Sequence, residues 1–484
     1  MVEDKKNDNK KRFNFSKIST LILNGLIVIC VLVSIFSVGY LFGRKNILTT
    51  IDSGSNSKVE AAIDLLAKDW YFSKEFTDID KVLEDKALYG ITTDEIDLHT
   101  EYFSQEELES FTQSINQDFV GIGVQYLDLE TGFIIEKVYR DSPASKAGLK
   151  AGDIFYTVEG KSVDNLTAED ITELVKGEIG TVVKIEVKRL GKIESFDVVR
   201  GKIQTTSYSK MVDDNIGYLE ITNFGETTPE EVKANLNDLS EKGMNKLIID
   251  LRNNGGGYLD TYLSVVGYFI GDNQPAILQK YSDESVEIGY STTKKHEGID
   301  DIVVLINEGT ASAAEVLAIT LMEKGENVSV VGVKSYGKGT VQVTVPFTDG
   351  TAIKYTISEW LSPNGNSING VGIMPDYEVE EHEVVYEWFQ AEEDFAYEVD
   401  SVSSEVKTMQ LALDFLGYDL DRLDGYFSEK TLEQLLMFKK KHDLKETEVL
   451  DNDTLLSLRT SVLSDYYLNE DQDKQYLKAV ELLK

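Results

Sequence analysis

The amino-acid sequence predicts an α/β protein with a β-rich domain ahead of its main core and a helical domain behind it. Between residues 211 and 376, apolar strand patterns such as IGYLEIT, KLIIDLR and DIVVLIN alternate with helical stretches, which is typical of a layered α/β core. Residues 119–200 contain short apolar strands separated by glycine-rich turns, as in small β domains. Residues 404–460 repeat apolar residues at helical intervals.

The composition excludes two broad classes of protein. Hydrophobic residues make up 42% of the 484 residues, which is enough to build cores and excludes a disordered chain. The formal net charge of −37 lacks the basic footprint of a nucleic-acid-binding protein, so we expect no nucleic-acid partner. At about 100–200 residues per domain, the length predicts roughly three folded units. Cys30 is the single cysteine, so no disulfide can form within the chain.

An uncharged apolar run at residues 18–42 predicts a transmembrane anchor. About 20 apolar residues span the hydrocarbon core of a bilayer, so the run is long enough. Residues 1–17 are rich in lysine and arginine, which by the positive-inside rule makes them a cytoplasmic tail and puts the rest of the chain outside. A cleaved signal peptide is the alternative, although its apolar region is usually only about 7–15 residues long. We therefore predict a single-pass protein of the cell membrane whose folded part is extracytoplasmic.

Linker and helical segments flank the predicted domains. Residues 46–117 begin with the polar linker TTIDSGSNS and continue with apolar residues at helical spacing, and residues 461–484 form a second amphipathic helix. Residues 378–403 are acidic and aromatic, and we interpret them as a connector. The helices at 58–117 and 461–484 could pack on the core or on a second subunit, so the sequence leaves a homodimer open.

Ser312 is the first candidate for chemistry. An apolar strand at residues 302–306 leads through a short turn into an alanine-rich helix, which places Ser312 at or just inside the helix N-terminus. The free N–H groups and the dipole of a helix N-terminus favour a developing anion. The sequence has no G-x-S-x-G motif, and none of its four histidines lies in a setting that resembles a Ser–His site, so this serine needs another base. The alternative is a serine that only caps the helix.

Lys338 is the candidate base. It lies between Gly337 and Gly339, and burial in a tight glycine-lined pocket lowers the pKa of a lysine, so that its neutral amine can take a serine proton. The stretch from Gly332 to Lys338 nearly matches a phosphate loop. However, Gly339 replaces the Ser or Thr that binds the metal ion, and a strand pattern follows instead of a helix. A solvated turn lysine is the alternative.

A glycine turn completes the set of candidate elements. The string LIIDLRNNGGG at residues 247–257 ends a buried strand with three glycines. Glycines let backbone N–H groups approach a ligand closely, and such donors can stabilise the oxyanion of a tetrahedral intermediate. The alternative is a flexible turn at the end of a strand.

These three elements, in the order LRNNGGG, GTASAAE and SYGKGTVQ, resemble the C-terminal processing peptidases, also called tail-specific proteases. The resemblance covers roughly residues 58–377. It implies a crotonase-like serine protease core at residues 201–377 that needs no metal ion and no organic cofactor. Within the core it makes Ser312 the nucleophile and Lys338 the general base. The remaining residues that it implicates are Gln342, which helps to hold the lysine, and Ala313 and Gly256, whose amides form the oxyanion hole.

Residues 118–200 resemble a PDZ domain. The string DSPASKAGLKAGDIFYTVEGKSV matches the interior of such a domain, and VGIGV opens a strand ahead of it. In a PDZ domain the amides of this turn bind a terminal carboxylate, while the peptide adds as a strand to the sheet edge. The expected partners are protein substrates with apolar C-terminal tails, and an ordinary small β domain is the alternative. The expected peptide-binding residues are Gly121, Ile122, Gly123 and Val124.

Residues 404–460 resemble a three-helix peptidoglycan-binding domain. The match includes V-x-x-M-Q-x-x-L from Val406, L-G-Y from Leu416 and D-G-Y-F from Asp424. Peptidoglycan is therefore the expected ligand, and a helical domain that serves only assembly is the alternative. The string DLDRLDG at residues 419–425 is similar to a calcium loop, but its glycine falls at the seventh position instead of the sixth, so we expect no metal site.

Together these observations predict a membrane-anchored extracytoplasmic serine endopeptidase that recognises protein C termini and cuts with a Ser312–Lys338 dyad. One alternative is a cell-surface PDZ and wall-binding scaffold with a silent protease core. The other is a structural wall protein in which residues 404–460 carry the main function.

Overall fold

The computed structural model describes residues 57–116, 119–129, 132–139, 142–164, 166–203, 206–386 and 395–484. The predicted cytoplasmic tail at residues 1–17 and the predicted anchor at residues 18–42 lie outside the described residues. Over the described ranges, no helix has the length and apolar character needed to cross a membrane. The chain divides into two compact units, Met1–Thr93 and Asp94–Lys484.

The described part of the first unit is a pair of helices. Ser57 caps the first helix through a reciprocal pair of hydrogen bonds with Glu60, and Asp78 caps the second. Both caps satisfy N–H groups that the start of a helix leaves free. The first helix has no buried residue. The elements are α1 (Lys58–Asp69), a 3₁₀ turn (Ser73–Glu75) and α2 (Ile79–Thr92).

Near the start of the second unit, residues 97–103 form a short segment, which we call the strap. Its strand β1 (Glu101–Phe103) pairs antiparallel with residues 352–354 of the core. The helix α3 (Gln105–Asn116) follows it. Asn116 ends this helix and accepts a hydrogen bond of 3.1 Å from the Glu226 N–H, so the helix is also joined to the core.

A mostly antiparallel β domain comes next. Its elements are β2 (Phe119–Gly121), β3 (Val124–Leu129), β4 (Gly132–Val138), α4 (Pro143–Ala147), β5 (Ile154–Val158), β6 (Lys161–Ser162), α5 (Ala168–Val175), β7 (Val182–Arg189), β8 (Lys192–Val199) and β9 (Gly201–Ile203). The sheet order is β3-β4-β5-β7-β8, with β6 beside β5, while β2 and β9 form a separate pair. Alternating side chains of β7, such as Val183, Ile185 and Val187, are buried in its core, as the period of two predicts.

The α/β core follows the alternation expected from the sequence. Its elements are β10 (Ser207–Met211), β11 (Ile216–Ile221), α6 (Thr228–Glu241), β12 (Lys246–Asp250), α7 (Leu259–Ile270), β13 (Pro275–Tyr281), β14 (Val286–Tyr290), β15 (Asp301–Ile306), α8 (Ala313–Lys324), β16 (Val328–Gly332), β17 (Thr340–Pro346), β18 (Ala352–Leu361) and β19 (Tyr377–Glu378). The main sheet runs β10-β11-β12-β15-β16-β19. All of its pairs are parallel except β10 with β11.

Both faces of this main sheet are buried. Leu247 and Ile249 of β12 point into the cluster that also contains residues of α6, α7 and α8, whereas Ile248 points to the opposite face. Continuous apolar runs are expected for parallel strands that are covered on both sides. A second sheet is ordered β1-β18-β13-β14, with β17 paired to β18.

The C-terminal region contains a helical domain and a final helix. Its elements are α9 (Glu383–Tyr386), β20 (Ala396–Tyr397), α10 (Ser404–Phe415), α11 (Glu429–Lys441), β21 (Leu450–Asp451), α12 (Asn452–Leu468), a 3₁₀ turn (Glu470–Gln472) and α13 (Lys474–Leu483). Helix α12 continues past residue 460, where the sequence placed a boundary. The final helix packs on the core instead of standing alone, because Tyr476, Ala479 and Leu483 cover the second face of the main sheet.

Candidate active site

Ser312 lies at the carboxyl edge of the main sheet, where ligands of open α/β sheets bind. Strand β15 ends at Ile306, a turn follows, and Ser312 is the residue that precedes α8. Its backbone has φ 54° and ψ −121°, a region that side-chain-bearing residues rarely adopt. Such strain persists where surrounding bonds impose it and is common in active sites. Here the Ser312 N–H donates to the Glu315 carboxylate at 2.9 Å.

Glu315 is a residue of the candidate site that the sequence analysis did not identify. Its side chain is fully buried in α8. One carboxylate oxygen accepts from the Ser335 hydroxyl at 2.5 Å and the Gly337 N–H at 2.7 Å. The other oxygen accepts from the N–H groups of Ser312 and Lys338, both at 2.9 Å. The carboxylate therefore joins the start of α8 to the loop at residues 335–338. The acidic residue three positions after a helix cap is the signal that could have identified it.

The backbone of Lys338 is held on both sides. Its N–H donates to Glu315, and its carbonyl accepts from the Trp360 indole N–H at 2.8 Å. The glycines beside it are required by packing: a Cβ on Gly339 would lie 2.4 Å from the Asn369 Cβ, and Gly337 has a φ of 93°. These contacts fix the backbone from which the Lys338 side chain extends.

The side chain of Lys338 is half-buried, and its pKa is lowered. Burial is the main cause, because it disfavours the charged ammonium. The neighbouring positive charge of Lys354 lowers the pKa further, while the carboxylates of Glu101, Asp97 and Glu315 act in the opposite direction. The net direction is the one that favours a neutral amine, as a general base requires.

The strap and β18 place charged side chains near Lys338, and the sequence analysis did not predict them. Lys354 of β18 forms an ion pair of 3.0 Å with Glu101, and its ammonium lies 5.1 Å from the centre of the Phe103 ring. His99 is also near, since the Lys338 charge contributes, after burial, to a lowered pKa of this histidine. No local pattern predicts these contacts, because they join segments about 250 residues apart in the chain.

Gln342 belongs to a polar network between the strap and the core. Its amide donates to the hydroxyls of Thr340 at 2.8 Å and Thr356 at 3.1 Å. Thr356 in turn donates to Asp97 at 3.1 Å. Within the described ranges, no hydrogen bond joins Gln342 to Lys338, so the predicted role of Gln342 in holding the lysine stays a prediction.

Gly256 lies directly against the nucleophile candidate. It has a φ of 102°, and a Cβ at this position would lie 2.7 Å from the Ser312 Cβ and 2.9 Å from the Ala313 nitrogen. Only glycine fits there. The Gly256 N–H donates at 2.8 Å to the side chain of the buried Asn254. The Ala313 N–H, in the first turn of α8, has no acceptor among the described residues. The structure thus brings Ser312, Ala313 and Gly256 together, and the oxyanion roles stay predictions.

The candidate peptide site of the β domain is a turn between β2 and β3. Gly121, Ile122 and Gly123 are buried, and Gly123 has a φ of 78°. The turn is fastened by the Ala144 N–H, which donates to the Ile122 carbonyl at 2.8 Å. Val124 then begins β3, the edge strand of the sheet, where a further strand could be added.

Comparison with known proteins decides the family. Residues 215–379 match the model of peptidase family S41. The carboxy-terminal processing protease CtpA of Bacillus subtilis (strain 168) is 33% identical over 430 residues, which cover 88% of this chain and 90% of the relative. The chain belongs to peptidase family S41. A CtpA-like serine protease of Staphylococcus haemolyticus (strain JCSC1435) is 31% identical over 436 residues, covering 90% of this chain and 86% of the relative.

The other domains of this S41 peptidase are matched as well. Residues 134–189 match the PDZ domain model, and residues 402–458 match a peptidoglycan binding domain model. Among solved structures, a photosystem II D1 C-terminal processing protease has a TM-score of 0.41 at 22% identity and covers 66% of this chain and 88% of that chain. Membership of peptidase family S41, together with the PDZ match, makes the chain a serine-type peptidase with a PDZ domain.

The S41 peptidase holds no group of three or more His, Cys, Asp or Glu side chains placed for a metal ion within its described residues. The carboxylates of the calcium-like string have other partners. Asp424 binds Arg422, Asp419 binds Lys430 at 3.2 Å, and Asp421 accepts from the Ser428 hydroxyl at 2.8 Å. The three carboxylates of this string are therefore already bonded to basic or hydroxyl side chains of the helical domain.

Proposed function

We propose that this S41 peptidase cleaves proteins with Ser312 as nucleophile and Lys338 as general base. The observation that carries the proposal is the buried Glu315 carboxylate, which binds the backbone N–H groups of both residues. One side chain thereby holds the candidate nucleophile and the candidate base in a common frame. The lowered pKa of Lys338, caused mainly by burial, supports the role of the base.

The proposed reaction uses only groups of the chain and water. The neutral amine of Lys338 takes the proton of the Ser312 hydroxyl, whose oxygen attacks the substrate carbonyl. The Ala313 amide binds the oxyanion, and the Gly256 amide joins it by exchanging its hydrogen bond to Asn254 for one to the oxyanion. The protonated lysine then gives its proton to the leaving amine, and an acyl-enzyme forms. Water, deprotonated by Lys338, hydrolyses it. Gln342 of β17, whose amide donates to Thr340 and Thr356 in the structure, is proposed to hold the lysine during the reaction.

The proposed substrates are proteins with apolar C-terminal tails. In this proposal the carboxylate of the tail binds the turn at residues 121–124, and the tail pairs with the edge strand β3. The name of the Bacillus subtilis relative, a carboxy-terminal processing protease, supports this assignment.

The proposed location is the outer face of the cell membrane. Residues 18–42 act as a single-pass anchor, and the helical domain that matches a peptidoglycan binding domain holds the peptidase at the wall.

Self-association is proposed through the helices of the first unit, of which α1 has no buried residue. The final helix is less suited to this role, because it covers the chain's own core.

Turnover of a peptide with a free apolar C terminus tests the dyad. We expect Ser312→Ala to abolish cleavage and labelling by a serine-reactive probe, and Lys338→Met to abolish cleavage while the protein still folds. Equal cleavage by wild type and Ser312→Ala would refute the assignment. Tail binding without any cleavage by wild type would instead favour the alternative of a scaffold with a silent core.

A further inference from the structure

A tyrosine crosses the groove between the edge strand β3 and the helix α5 of the PDZ domain. The Tyr126 hydroxyl donates to the Ala168 carbonyl at 2.8 Å and lies 2.6 Å from the Thr172 hydroxyl. Tyr126 belongs to β3, and both partners belong to α5. The side chain therefore spans the space between the two elements that would enclose an added peptide strand.

The ring of Tyr126 is firmly supported. Its centre lies 5.8 Å from the Phe133 ring and 5.7 Å from the Phe155 ring, both in edge-to-face arrangement. Such pairs add to the stabilisation that burial itself provides. Burial also raises the pKa of Tyr126, so the hydroxyl keeps its proton and its hydrogen bonds. The tyrosine is thus a fixed part of the groove.

The geometry of strand pairing predicts which residue of a bound peptide contacts the Tyr126 ring. A peptide whose carboxylate binds the amides of residues 122–124 runs antiparallel to β3. Its last residue then lies opposite Val124, and its third-from-last residue lies opposite Tyr126. Residues opposite one another in a strand pair present their side chains on the same face. The third-from-last side chain therefore points into the space that Tyr126 fills, whereas the penultimate side chain shares the face of the exposed Gln125.

We propose that Tyr126 is a specificity-determining residue, which admits only glycine, alanine or serine at the third-from-last position of a substrate. This inference rests on the proposed function of the PDZ domain as a receptor for C termini. A larger side chain would have to displace a ring that is packed on two aromatic residues and bonded to α5, and forcing extra atoms into a filled site is unfavourable.

Binding of matched peptides tests the proposal. Fluorescein-labelled peptides with a free carboxylate, identical except for Ala, Leu or Phe at the third-from-last position, are titrated into the full-length protein carrying Ser312→Ala, which prevents cleavage. Fluorescence polarisation gives each Kd. We expect the alanine peptide to bind at least about tenfold more tightly than the phenylalanine peptide.

Variants at position 126 assign the preference to the ring. Tyr126→Val suits a strand and keeps an apolar contact with the core, and we expect it to bring the two Kd values to within about twofold of each other. Tyr126→Phe keeps the ring and is expected to retain most of the preference. Thermal unfolding of each variant shows that it is folded.

The possible results separate this inference from the function on which it rests. Equal affinity of wild type for the alanine and phenylalanine peptides overturns the inference without any variant, as does an unchanged ratio in a folded Tyr126→Val protein. Failure of every free-carboxylate peptide to bind, or equal binding of amidated peptides, contradicts the proposed recognition of C termini itself.

Discussion

At the scale of single residues, one buried carboxylate and one glycine fix the geometry around Ser312. Glu315 accepts hydrogen bonds from two segments, so the strained backbone of Ser312 and the loop of Lys338 are fixed relative to each other. Gly256 lies directly against Ser312, where a larger residue would not fit. Each of these residues acts through position, since a displacement of about 1 Å in an active site can reduce the rate roughly 100-fold.

Glu315→Gln tests the carboxylate. Its new NH₂ group would face two donors, so one or two buried N–H groups would lose their acceptor. We expect kcat/KM to fall at least about 100-fold and the free energy of unfolding to fall by about 1–3 kcal/mol. Peptide turnover and urea unfolding measure the two effects. The control is the exposed Glu308→Gln. Near-normal turnover by Glu315→Gln would contradict the proposal that Glu315 holds Ser312 and Lys338 in a common frame.

The charges around Lys338 predict opposite shifts of the pH profile. In the proposed mechanism Lys338 works as the neutral amine, so we expect activity to rise as the pH passes upward through its pKa. Lys354 lowers that pKa and Glu101 raises it. We therefore expect Lys354→Gln to move the acidic limb of kcat/KM to higher pH and Glu101→Gln to move it to lower pH. Both variants break the same ion pair between the strap and β18. A shift in the same direction for both would therefore indicate that the strap has detached from β18, and it would contradict this electrostatic account.

Gly256→Ala tests the close contact between Gly256 and Ser312, the proposed nucleophile. An added Cβ meets the Ser312 Cβ at 2.7 Å in a backbone conformation with a φ of 102°. We expect loss of activity of about 100-fold or more and destabilisation of about 1–3 kcal/mol. Gly255→Ala is the matched control, because no atom lies within 4 Å of its Cβ position. Similar turnover by Gly256→Ala and Gly255→Ala would show that activity does not require the close contact between Gly256 and Ser312.

At the scale of elements, the final helix α13 is part of the core. Its N-terminus is bonded by Glu381, whose carboxylate accepts from the N–H groups of Lys474 and Gln475. Asp473, the cap of the helix, forms an ion pair of 2.7 Å with Arg252, in the LRNNGGG string that leads to Gly256. The helix that covers the back of the main sheet is thus bonded to the turn that approaches Ser312.

We expect Glu381 to make the stability of the fold dependent on pH. Burial, followed by the nearby charge of Asp473, raises the pKa of Glu381 to about 7. A carboxyl whose pKa is raised on folding stabilises the fold fully below its unfolded value and loses that contribution as pH rises to about 7. We expect Glu381→Gln to remove a decline in stability between about pH 4.5 and 7, at most about 3 kcal/mol.

Urea unfolding at a series of pH values measures this effect. The control is Glu380→Gln, since Glu380 is exposed. If Glu381→Gln and Glu380→Gln gave the same dependence of stability on pH, the proposed titration of Glu381 would be wrong.

At the scale of the whole second unit, polar and apolar contacts join its domains. Lys137 of β4 forms an ion pair of 2.9 Å with Glu220 of β11, which links the PDZ domain to the peptidase core. On another side, Ile134 and Ile154 of the PDZ sheet pack against Leu463 of α12. A mutation at either contact therefore affects how the domains are held together as well as the domain that carries it.

A double-mutant cycle on Lys137 and Glu220 measures the link between the PDZ domain and the core. We expect Lys137→Met and Glu220→Gln each to destabilise the protein, and the pair to show a coupling free energy of about 1 kcal/mol. Urea unfolding of wild type, both single variants and the double variant gives this value. Strictly additive effects would mean that the ion pair does not join the domains energetically.

Several features followed from the sequence because they depend on neighbouring residues. The alternation of apolar strands and helices predicted the α/β core, and the start of α8 after a buried strand placed Ser312 at a helix N-terminus. The lowered pKa of Lys338 was expected from its glycine-lined position, and burial is its main cause in the structure. Periodicity, caps and glycine turns are local properties, so a single sequence reports them.

The tertiary structure alone decided what surrounds these residues. It brought the strap to β18, although Asp97 and Thr356 are 259 positions apart, and it placed α13 on the back of the main sheet. It also turned Tyr126, one residue of a strand pattern, into a bridge across the PDZ groove. The physical reason is that such contacts depend on which buried faces meet when the chain folds, and amphipathic patterns specify that a face is buried without naming its partner.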